Sequence, residues 1–276
     1  MATTSAKKTI DVGFIGGGNM TEAMVRGLIA SGRDAASLLV AEPDAARRRA
    51  MARRYKVAVT ADNAAVVRDS RTVVLAVKPQ ILADVMDGLR PVVTERELFV
   101  SIAAGVMLAR LEKGLGGAAR VVRVMPNTPC LVGKGASVVC AGTRASAVDV
   151  KVVTKMFAAV GDAHVIEDEN LLHLVTALSG SGPAYVYRFA EALIEAATEG
   201  GMEAGLARAL TFQTLAGAAA MMIETGQEPA ELRRAVSSPG GTTLAGLGCL
   251  DEKGFAATVM AAVAAAARRS VELGKA

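Results

Sequence analysis

Two short glycine-rich segments, the second also rich in hydroxyl side chains, have the residue types and spacing of ligand-binding loops. The first is Gly16-Gly17-Gly18, which follows an apolar run and precedes a helical pattern that begins at Asn19. Glycines let a backbone approach a pyrophosphate closely, and the helix N-terminus behind them offers free N–H groups. The segment therefore predicts a dinucleotide site. Thr21 replaces the third glycine or alanine of the G-x-G-x-x-G pattern, which we expect to loosen the helix–strand contact.

The second segment, Ser237–Thr243, combines four hydroxyl side chains with two glycines just before a helical pattern. Backbone N–H groups beside serine and threonine hydroxyls form a receptor for a carboxylate or another small anion. Leu178–Ala184 has a similar composition, and we interpret it as a loop that leads into another helix. Helix capping explains one hydroxyl per helix, but it does not explain four in one short loop.

The residues after the second predicted strand bear on the choice between NAD and NADP, and they point to different cofactors. Glu42 lies where an acidic side chain usually accepts hydrogen bonds from the ribose of NAD. Arg47 and Arg48 lie near the same edge, where they could neutralise the 2′-phosphate of NADP. Glu42 is also consistent with a plain acidic residue at a helix N-terminus. The sequence leaves NADP and NAD both open.

Two further segments follow buried strands, at the edge where parallel sheets bind ligands. Ala76-Val77-Lys78-Pro79 ends one strand with a lysine that is either a neighbour of the cofactor or an ordinary surface residue. Met125–Pro129 follows another strand, and its two prolines fix the backbone around Asn127 and Thr128. Rigid loops of this kind often carry sites, although a simple turn between domains fits the spacing as well.

Acid–base catalysis by histidine and metal chemistry have little support in the sequence. His164 and His173 lie outside the loop segments, and we expect His173 to be packed within the protein. Cys130, Cys140 and Cys249 show neither disulfide nor metal-ligand spacing, so we predict no metal site and a reducing, cytoplasmic environment. Hydride transfer suits such a chain, because the cofactor carries the difficult step and the protein orients the reactants.

The first part of the chain alternates between strand and helix patterns. At roughly 150 residues per domain, 276 residues suggest two domains. Val-rich runs separated by helical patterns are typical of a mainly parallel, doubly wound sheet. We therefore predict a dinucleotide-binding domain over residues 1–167. The predicted strands are Ile10–Ile15, Leu38–Ala41, Thr72–Val77, Leu98–Ile102, Arg120–Val124 and Ser137–Ala141.

From residue 168 to residue 276 the pattern is helical, and we predict an all-helical domain. Leu206–Glu224 and Phe255–Leu273 are apolar on much of their circumference, which indicates buried helices. About 105 residues cannot easily bury so many apolar faces alone, so we expect a partner subunit. No apolar run reaches the roughly 18 residues of a membrane span, and the polar Met1–Thr9 does not resemble a signal peptide. We predict no membrane partner.

The arginines between positions 47 and 54 raise the question of nucleic-acid binding, since the net charge is +4. They lie in one predicted helix, without aromatic platforms or zinc-ligand spacing. The pattern indicates a solvated helix face and no nucleic-acid partner.

These segments together resemble the pyrroline-5-carboxylate reductase family in order and spacing. The matching segments are Gly13–Met20, Ala76–Pro79, Ser101–Gly105, Met125–Pro129, Ser179–Ala184 and Ser237–Thr243, followed by Asp251–Phe255. The likeness extends from about Thr9 to Leu273. It implies an α/β Rossmann-type domain followed by an all-helical dimerisation domain, with homodimers that interlock through their helices and can assemble into a decamer. It also implies an oxidoreductase that reduces 1-pyrroline-5-carboxylate to L-proline with NADPH or NADH, the last step of proline biosynthesis. The resemblance favours NADPH, whereas Glu42 leaves the choice open.

The resemblance further implies roles for individual residues. Ser238, the backbone of Gly240 and Gly241, and Thr242 would hold the substrate carboxylate. Thr243 would face the imine nitrogen as the catalytic residue, and its hydroxyl would orient or relay a proton. Asn63, which the family places in the loop after the third strand of its own sheet, would contact the cofactor. With Glu42 added from its position, the predicted cofactor-binding residues are Phe14, Ile15, Gly16, Gly17, Gly18, Asn19, Glu42, Asn63, Ala76, Val77, Lys78 and Pro79.

Two alternatives from other classes remain open on the sequence. A reductase of the 3-hydroxyacid dehydrogenase type shares the domain order, but its catalytic lysine and asparagine correspond to Val186 and Ala190 here. A non-enzymatic module that binds or senses a dinucleotide would have no need of the carboxylate loop at Ser237–Thr243.

Overall fold

The computed structural model describes residues 10–275 and divides the chain into two compact units. The first unit contains the residues up to Ser181 and those from Ala266 onward, and the second spans Gly182–Ala265. Met1–Thr9, for which the sequence predicts no signal peptide, lie outside the described residues. The functional division between residues 167 and 168 stays a prediction.

The first unit is built on one eight-stranded sheet. Its strands are β1 Ile10–Ile15, β2 Leu38–Ala41, β3 Ala58–Thr60, β4 Ser70–Leu75, β5 Leu98–Ser101, β6 Arg120–Met125, β7 Gly135–Ala141 and β8 Gly161–Ile166. The order across the sheet is β3-β2-β1-β4-β5-β6-β7-β8. Every pair of neighbours is parallel except β6 with β7. The predicted mainly parallel, doubly wound sheet is confirmed.

The sequence analysis misses two strands and misplaces one. β3 has only three residues and none is buried, and β8 alternates polar and apolar residues with none buried. Neither strand therefore shows the apolar run that marks the central ones. The strand predicted at Thr72–Val77 lies at Ser70–Leu75 instead. Ala76 and Val77 leave the sheet and enter the loop that follows it.

Helices cover both faces of this sheet. They are α1 Asn19–Ala30, α2 Ala45–Tyr55, α3 Asn63–Asp69, α4 Pro79–Leu89, α5 Leu108–Gly114 and α6 Ala147–Ala158, followed by α7 Leu171–Val175. One apolar cluster, which includes Leu75 and Leu111, lies on one side of the sheet. A second cluster, which includes Phe14 and Phe157, lies on the other. The strands are therefore buried on both faces, which explains their continuous Val-rich runs.

The remaining helices are α8 Gly182–Glu199, α9 Ala204–Thr225, α10 Pro229–Ala235, α11 Thr242–Glu252 and α12 Phe255–Lys275. In the second unit, which the structure describes throughout, only Ala190, Ala207 and Thr211 are buried. The single chain therefore leaves these apolar helices largely uncovered, which is the excess of apolar surface from which we expect a partner subunit, and Ile223 is 81% exposed. A small helical unit has too little interior to cover every apolar face.

One helix contradicts the expectation that no segment is long enough to span a membrane. By length and composition, α9 passes that test, alone among the helices of the described residues. The predominantly apolar run Ala209–Ile223 is shorter than 18 residues, but the helix extends beyond it on both sides, from Ala204 to Thr225. An exposed apolar helix of this kind also suits a subunit interface.

A buried ion pair ties β6 to the segment that precedes α7. Arg123 is 1% exposed, and its Nη1 donates to Oε1 of Glu169 over 2.7 Å. The same carboxylate oxygen accepts the N–H of Leu108 over 2.7 Å. Next to this pair, Nδ1 of the buried His173 lies 2.9 Å from Oγ of Ser270. Burial, followed by the nearby Arg123 charge, lowers the pKa of His173. The expectation that this histidine is packed within the protein is confirmed.

Removing the carboxylate of Glu169 would leave the Arg123 guanidinium buried without a counter-charge. We expect Glu169→Ala to lower the free energy of unfolding in urea by roughly 3–5 kcal/mol. The double variant Arg123→Met/Glu169→Leu is the control, and it should recover most of that loss because no charge is left unpaired. A loss below about 0.5 kcal/mol for the single variant would contradict this assignment.

Candidate active site

The carboxyl ends of the central strands meet at one edge of the sheet, where the strand order reverses between β1 and β4. In open α/β sheets the ligand crevice lies at this switch point. Backbone hydrogen bonds hold the strand ends in place. They are Gly16 N to Ala41 O (2.9 Å), Ala76 N to Ile15 O (2.9 Å), Glu42 N to Thr60 O (3.1 Å) and Ile102 N to Leu75 O (3.3 Å). The structure thus brings the glycine turn, Glu42 and Ala76 together, as the sequence predicts.

The glycine turn is shaped for close backbone approach. Gly16 has φ +100°, and a Cβ there would lie 2.7 Å from the carbonyl oxygen of Ala76. Gly18 is the N-cap of α1 and has open space where its Cβ would be. No side chain caps this helix, so the N–H groups of its first turn are available to a ligand. An open cradle of amides at a helix N-terminus fits the pyrophosphate of a dinucleotide.

Thr21 does not loosen the contact between α1 and β1. The residue is buried, and its Oγ1 donates a hydrogen bond of 2.5 Å to the carbonyl oxygen of Gly16. The hydroxyl therefore braces the positive-φ residue of the turn. This bond explains how the chain dispenses with the third glycine of the pattern.

A cavity of about 210 Å³ opens beside the glycine turn. Its walls include Gly18 and Asn19 from α1, and Arg47 and Arg54 from α2. Oε1 of Glu22 accepts hydrogen bonds of 2.7 Å from both Arg54 and Tyr55, and so offsets one of the two arginine charges. The cavity thus combines free amides with positive charge, which suits the phosphates of a nucleotide.

The other predicted cofactor residues lie at the same sheet edge, on helix starts. Lys78 is exposed and serves as the N-cap of α4, and Pro79 is the first residue of that helix. Asn63 is also a first helical residue, in α3, and is not in a loop as the sequence predicts. The helix begins directly after Asp62, because the side chain of this residue caps it by accepting the N–H of Ala64 over 2.8 Å.

Asn127, from the rigid loop after β6, acts inside the protein. Its Nδ2 donates to the carbonyl oxygen of Ser179 over 3.0 Å, and its Oδ1 accepts the N–H of Ala136 over 2.9 Å. In a regular helix Ser179 would receive the N–H of residue 183, but Pro183 has none. The asparagine amide supplies the missing donor. Sequence reasoning saw the rigid loop but not this partner, which lies 52 residues away.

The segment predicted as a loop at Leu178–Ala184 is helical. Thr176–Gly180 form a π-helical turn that continues α7, and α8 begins at Gly182. The hydroxyl of Ser179 donates to the carbonyl oxygen of Val175 over 3.0 Å. This hydroxyl is therefore used within the helix and is not free to bind an anion.

Ser237–Thr243, in the second unit, is open to a ligand. Gly240 has φ +70°, and Gly241 is the N-cap of α11, whose start no side chain caps. Ser237 donates to the carbonyl oxygen of Arg233 over 2.6 Å, and the N–H of Gly241 donates to the carbonyl oxygen of Ser238 over 3.0 Å. The hydroxyls of Ser238, Thr242 and Thr243, the other three in this loop, have no hydrogen-bond partner among residues 10–275. Capping therefore accounts for none of the three.

Nothing in the described part of the chain indicates metal or thiol chemistry. No group of three His, Cys, Asp or Glu side chains among residues 10–275 is placed to hold a metal ion. Burial raises the pKa of the thiols of Cys130 and Cys140, which disfavours the reactive thiolate.

Comparison with known families assigns a class to this fold and site. Residues 11–105 match the model described as "NADP oxidoreductase coenzyme F420-dependent", and residues 169–273 match "Pyrroline-5-carboxylate reductase dimerisation". The sheet with its open glycine turn is thus that of an NAD(P)-using oxidoreductase, followed by a helical dimerisation domain. The chain belongs to the pyrroline-5-carboxylate reductase family.

Individual relatives support this membership over nearly the whole chain. The chain is 42% identical to the pyrroline-5-carboxylate reductase of Pseudomonas aeruginosa over 264 residues, covering 96% of this chain and 97% of that one. The solved structure from Coxiella burnetii has 37% identity and a TM-score of 0.92, with 97% and 100% coverage. A Plasmodium falciparum pyrroline carboxylate reductase with NADP bound has 33% identity and a TM-score of 0.86, with 98% and 100% coverage. The resemblance found in the sequence is confirmed, and both alternatives are set aside.

Two glycines of the turn should respond differently to alanine. We expect Gly16→Ala to lower the free energy of unfolding by about 1–3 kcal/mol, because its φ is positive and Ala76 lies in the way. Gly18→Ala should change it by less than about 0.5 kcal/mol, because its φ is −77° and the space is open. Urea denaturation measures both values, and titration with nucleotide should show weaker binding for Gly18→Ala. Equal stability losses would contradict the geometry.

Proposed function

We propose that this chain catalyses the reduction of 1-pyrroline-5-carboxylate to L-proline, the last step of proline biosynthesis, in the cytoplasm. The observation that carries the proposal is the uncapped N-terminus of α11, with three unpartnered hydroxyls, in a chain of this family. Such a receptor suits the carboxylate of a small cyclic imine. The cofactor, NADPH or NADH, supplies the hydride.

The carboxylate of the substrate would bind at the start of α11. Ser238 and Thr242 would donate hydroxyl hydrogen bonds, and the backbone of Gly240 and Gly241 would allow close approach. The helix N-terminus adds a favourable dipole for the negative charge. These contacts hold the ring in one orientation, and orientation is the main requirement for a reaction between two bound molecules.

Thr243 would act at the ring nitrogen. The protonated imine is already electrophilic at carbon. Hydride addition at that carbon converts the C=N bond to a C–N single bond, and the π electrons become the lone pair of a neutral amine nitrogen. The half-buried Thr243 hydroxyl would accept a hydrogen bond from the iminium N–H or relay a proton through water. This step needs no histidine, in keeping with the absence of histidine from the loop.

The cofactor would lie along the sheet edge of the first unit. Phe14–Asn19 would hold the pyrophosphate, and Ala76–Pro79 would line the nicotinamide side. Asn63 would also contact the cofactor, and Glu42, the remaining member of the predicted set, would act through the N–H of Gly17 in the glycine turn. The hydride is transferred between bound molecules, so the role of these residues is to bind and orient.

Purified protein mixed with pyrroline-5-carboxylate tests the activity directly. The near-ultraviolet absorbance of NADPH or NADH should fall only when the imine is present, and L-proline should accumulate in equal amount. Tight nucleotide binding without imine-dependent oxidation of either cofactor would overturn the proposal.

Replacing Thr243 tests its role at the nitrogen. We expect Thr243→Ala to lower kcat by about tenfold to hundredfold, because the hydroxyl contributes to proton handling and orientation. NADPH binding, measured by fluorescence titration, should stay unchanged. Thr243→Ser keeps the hydroxyl and should retain most of the activity. Wild-type turnover in the alanine variant would remove Thr243 from the mechanism.

The exposed apolar helices of the second unit would form a homodimer, and dimers could assemble further into a decamer. The dimerisation match includes these helices, and Leu206 and Leu210 lie one turn apart on α9, each half exposed. An unpaired charge in a subunit interface weakens association strongly. We therefore expect Leu210→Lys to shift the protein toward monomers in light scattering. Ile81→Lys, an equally exposed apolar position on α4, should leave the assembly intact, and the same shift in both variants would contradict the interface.

A further inference from the structure

Glu42 lies at the position where an acidic side chain usually binds the ribose 2′-hydroxyl of NAD, but both of its carboxylate oxygens accept backbone N–H groups. Oε2 accepts the N–H of Gly17 over 2.9 Å, and Oε1 accepts the N–H of Asp44 over 3.0 Å. The residue is only 8% exposed. Glu42 thereby joins the glycine turn after β1 to the loop after β2.

This arrangement differs from what recognition of NAD requires. A carboxylate that reads the ribose must turn toward the 2′-hydroxyl, with an accessible oxygen. Here the side chain packs against the turn, so closely that a Cβ on Gly17 would lie 3.0 Å from Cβ of Glu42. Glu42 is therefore placed to shape the pyrophosphate cradle, which is common to NAD and NADP.

Arg47 and Arg48, the two candidates for binding a 2′-phosphate, have different surroundings in the structure. Nη1 of Arg48 donates to the carbonyl oxygens of Glu42 (2.6 Å) and Pro43 (2.7 Å), so this guanidinium braces the loop after β2. The side chain of Arg47 is exposed and forms no hydrogen bond and no ion pair within 4 Å among residues 10–275, although its charge acts on the exposed carboxylate of Asp44. It lines the cavity beside Gly18, where Arg54 is already paired with Glu22.

We propose that Arg47 binds the 2′-phosphate of NADP(H), that Glu42 is a positioning residue for the glycine turn, and that the chain therefore prefers NADP(H). The proposal rests on the proposed function only for the presence of a dinucleotide site. A phosphate dianion near an unpaired guanidinium gains charge-assisted hydrogen bonds that a ribose hydroxyl cannot form. The engaged carboxylate of Glu42 offers no equal gain to NAD(H).

Calorimetric titration with the adenosine halves of the two cofactors tests this without any turnover. Wild-type protein should bind adenosine 2′,5′-bisphosphate at least about tenfold more tightly than 5′-AMP, a difference of roughly 1.4 kcal/mol. Arg47→Ala should remove most of this preference while leaving 5′-AMP affinity unchanged. Arg53→Ala is the matched control, because it removes the same charge from the same helix outside this cavity, and it should keep the preference.

Glu42→Gln separates the two roles of the acid. The glutamine amide still accepts one backbone N–H but presents a donor to the other, so the turn should be less well held. Both nucleotides should then weaken by a similar factor, and their affinity ratio should change by less than about twofold. Loss of 5′-AMP affinity alone would show that Glu42 reads the ribose, and it would overturn this part of the proposal.

Two results would overturn the assignment of Arg47: equal wild-type affinity for the two nucleotides, or an unchanged preference in Arg47→Ala. Arg47→Ala decides this assignment even when Glu42→Gln does not fold. The outcome is also independent of the imine. A preference for the bisphosphate without reduction of pyrroline-5-carboxylate would leave this inference standing and would remove the proposed function.

Discussion

The close approach of Gly16 to the carbonyl group of Ala76 is the constraint on which the nucleotide site depends. At this point β1 and β4 are neighbours, and the chain must turn sharply out of the sheet without a side chain in the way. The positive φ of Gly16 permits that turn, and the hydroxyl of Thr21 holds it from behind. The start of α1 is thereby aimed at the crevice with its amides free. A side chain at Gly16 would disturb the turn, the adjoining strand end and the helix start together.

The two candidate binding loops use one physical device in different surroundings. In both, a glycine-rich turn precedes a helix whose first N–H groups no side chain caps, at Gly18 and at Gly241. Side chains cap some other helices, for example Asp44, Asp62 and Ser146, whereas α4, α5 and α10 also begin without a side-chain cap. An uncapped helix start forgoes about 1 kcal/mol of stability, which a bound anion can restore. The two candidate sites combine such a start with a glycine-rich turn that lets a ligand approach the backbone.

Buried polar side chains hold the segments around the first loop in register. The Arg123–Glu169 pair, the amide of Asn127 and the carboxylate of Glu42 each join elements that are distant in sequence. Each pairs with a partly buried backbone group, such as the carbonyl of Ser179. Such groups are costly to leave unpaired, so these side chains fix geometry as well as add stability.

The sequence by itself determined the repeating strand–helix pattern, the two candidate binding loops and the family. Buried parallel strands are marked by continuous apolar runs, and tight turns require glycine, so both signals are local. The short β3 and the polar β8 carry no such signal and were missed. Only the tertiary structure decided the hydrogen-bond partners of Glu42 and Asn127 and the different surroundings of Arg47 and Arg48. Glu42 meets Gly17, and Asn127 meets Ser179, across 25 and 52 residues of chain, and spacing along the sequence does not record such encounters. The acceptors of Arg48 lie only five and six residues away, but they come within reach only through the fold of the loop after β2.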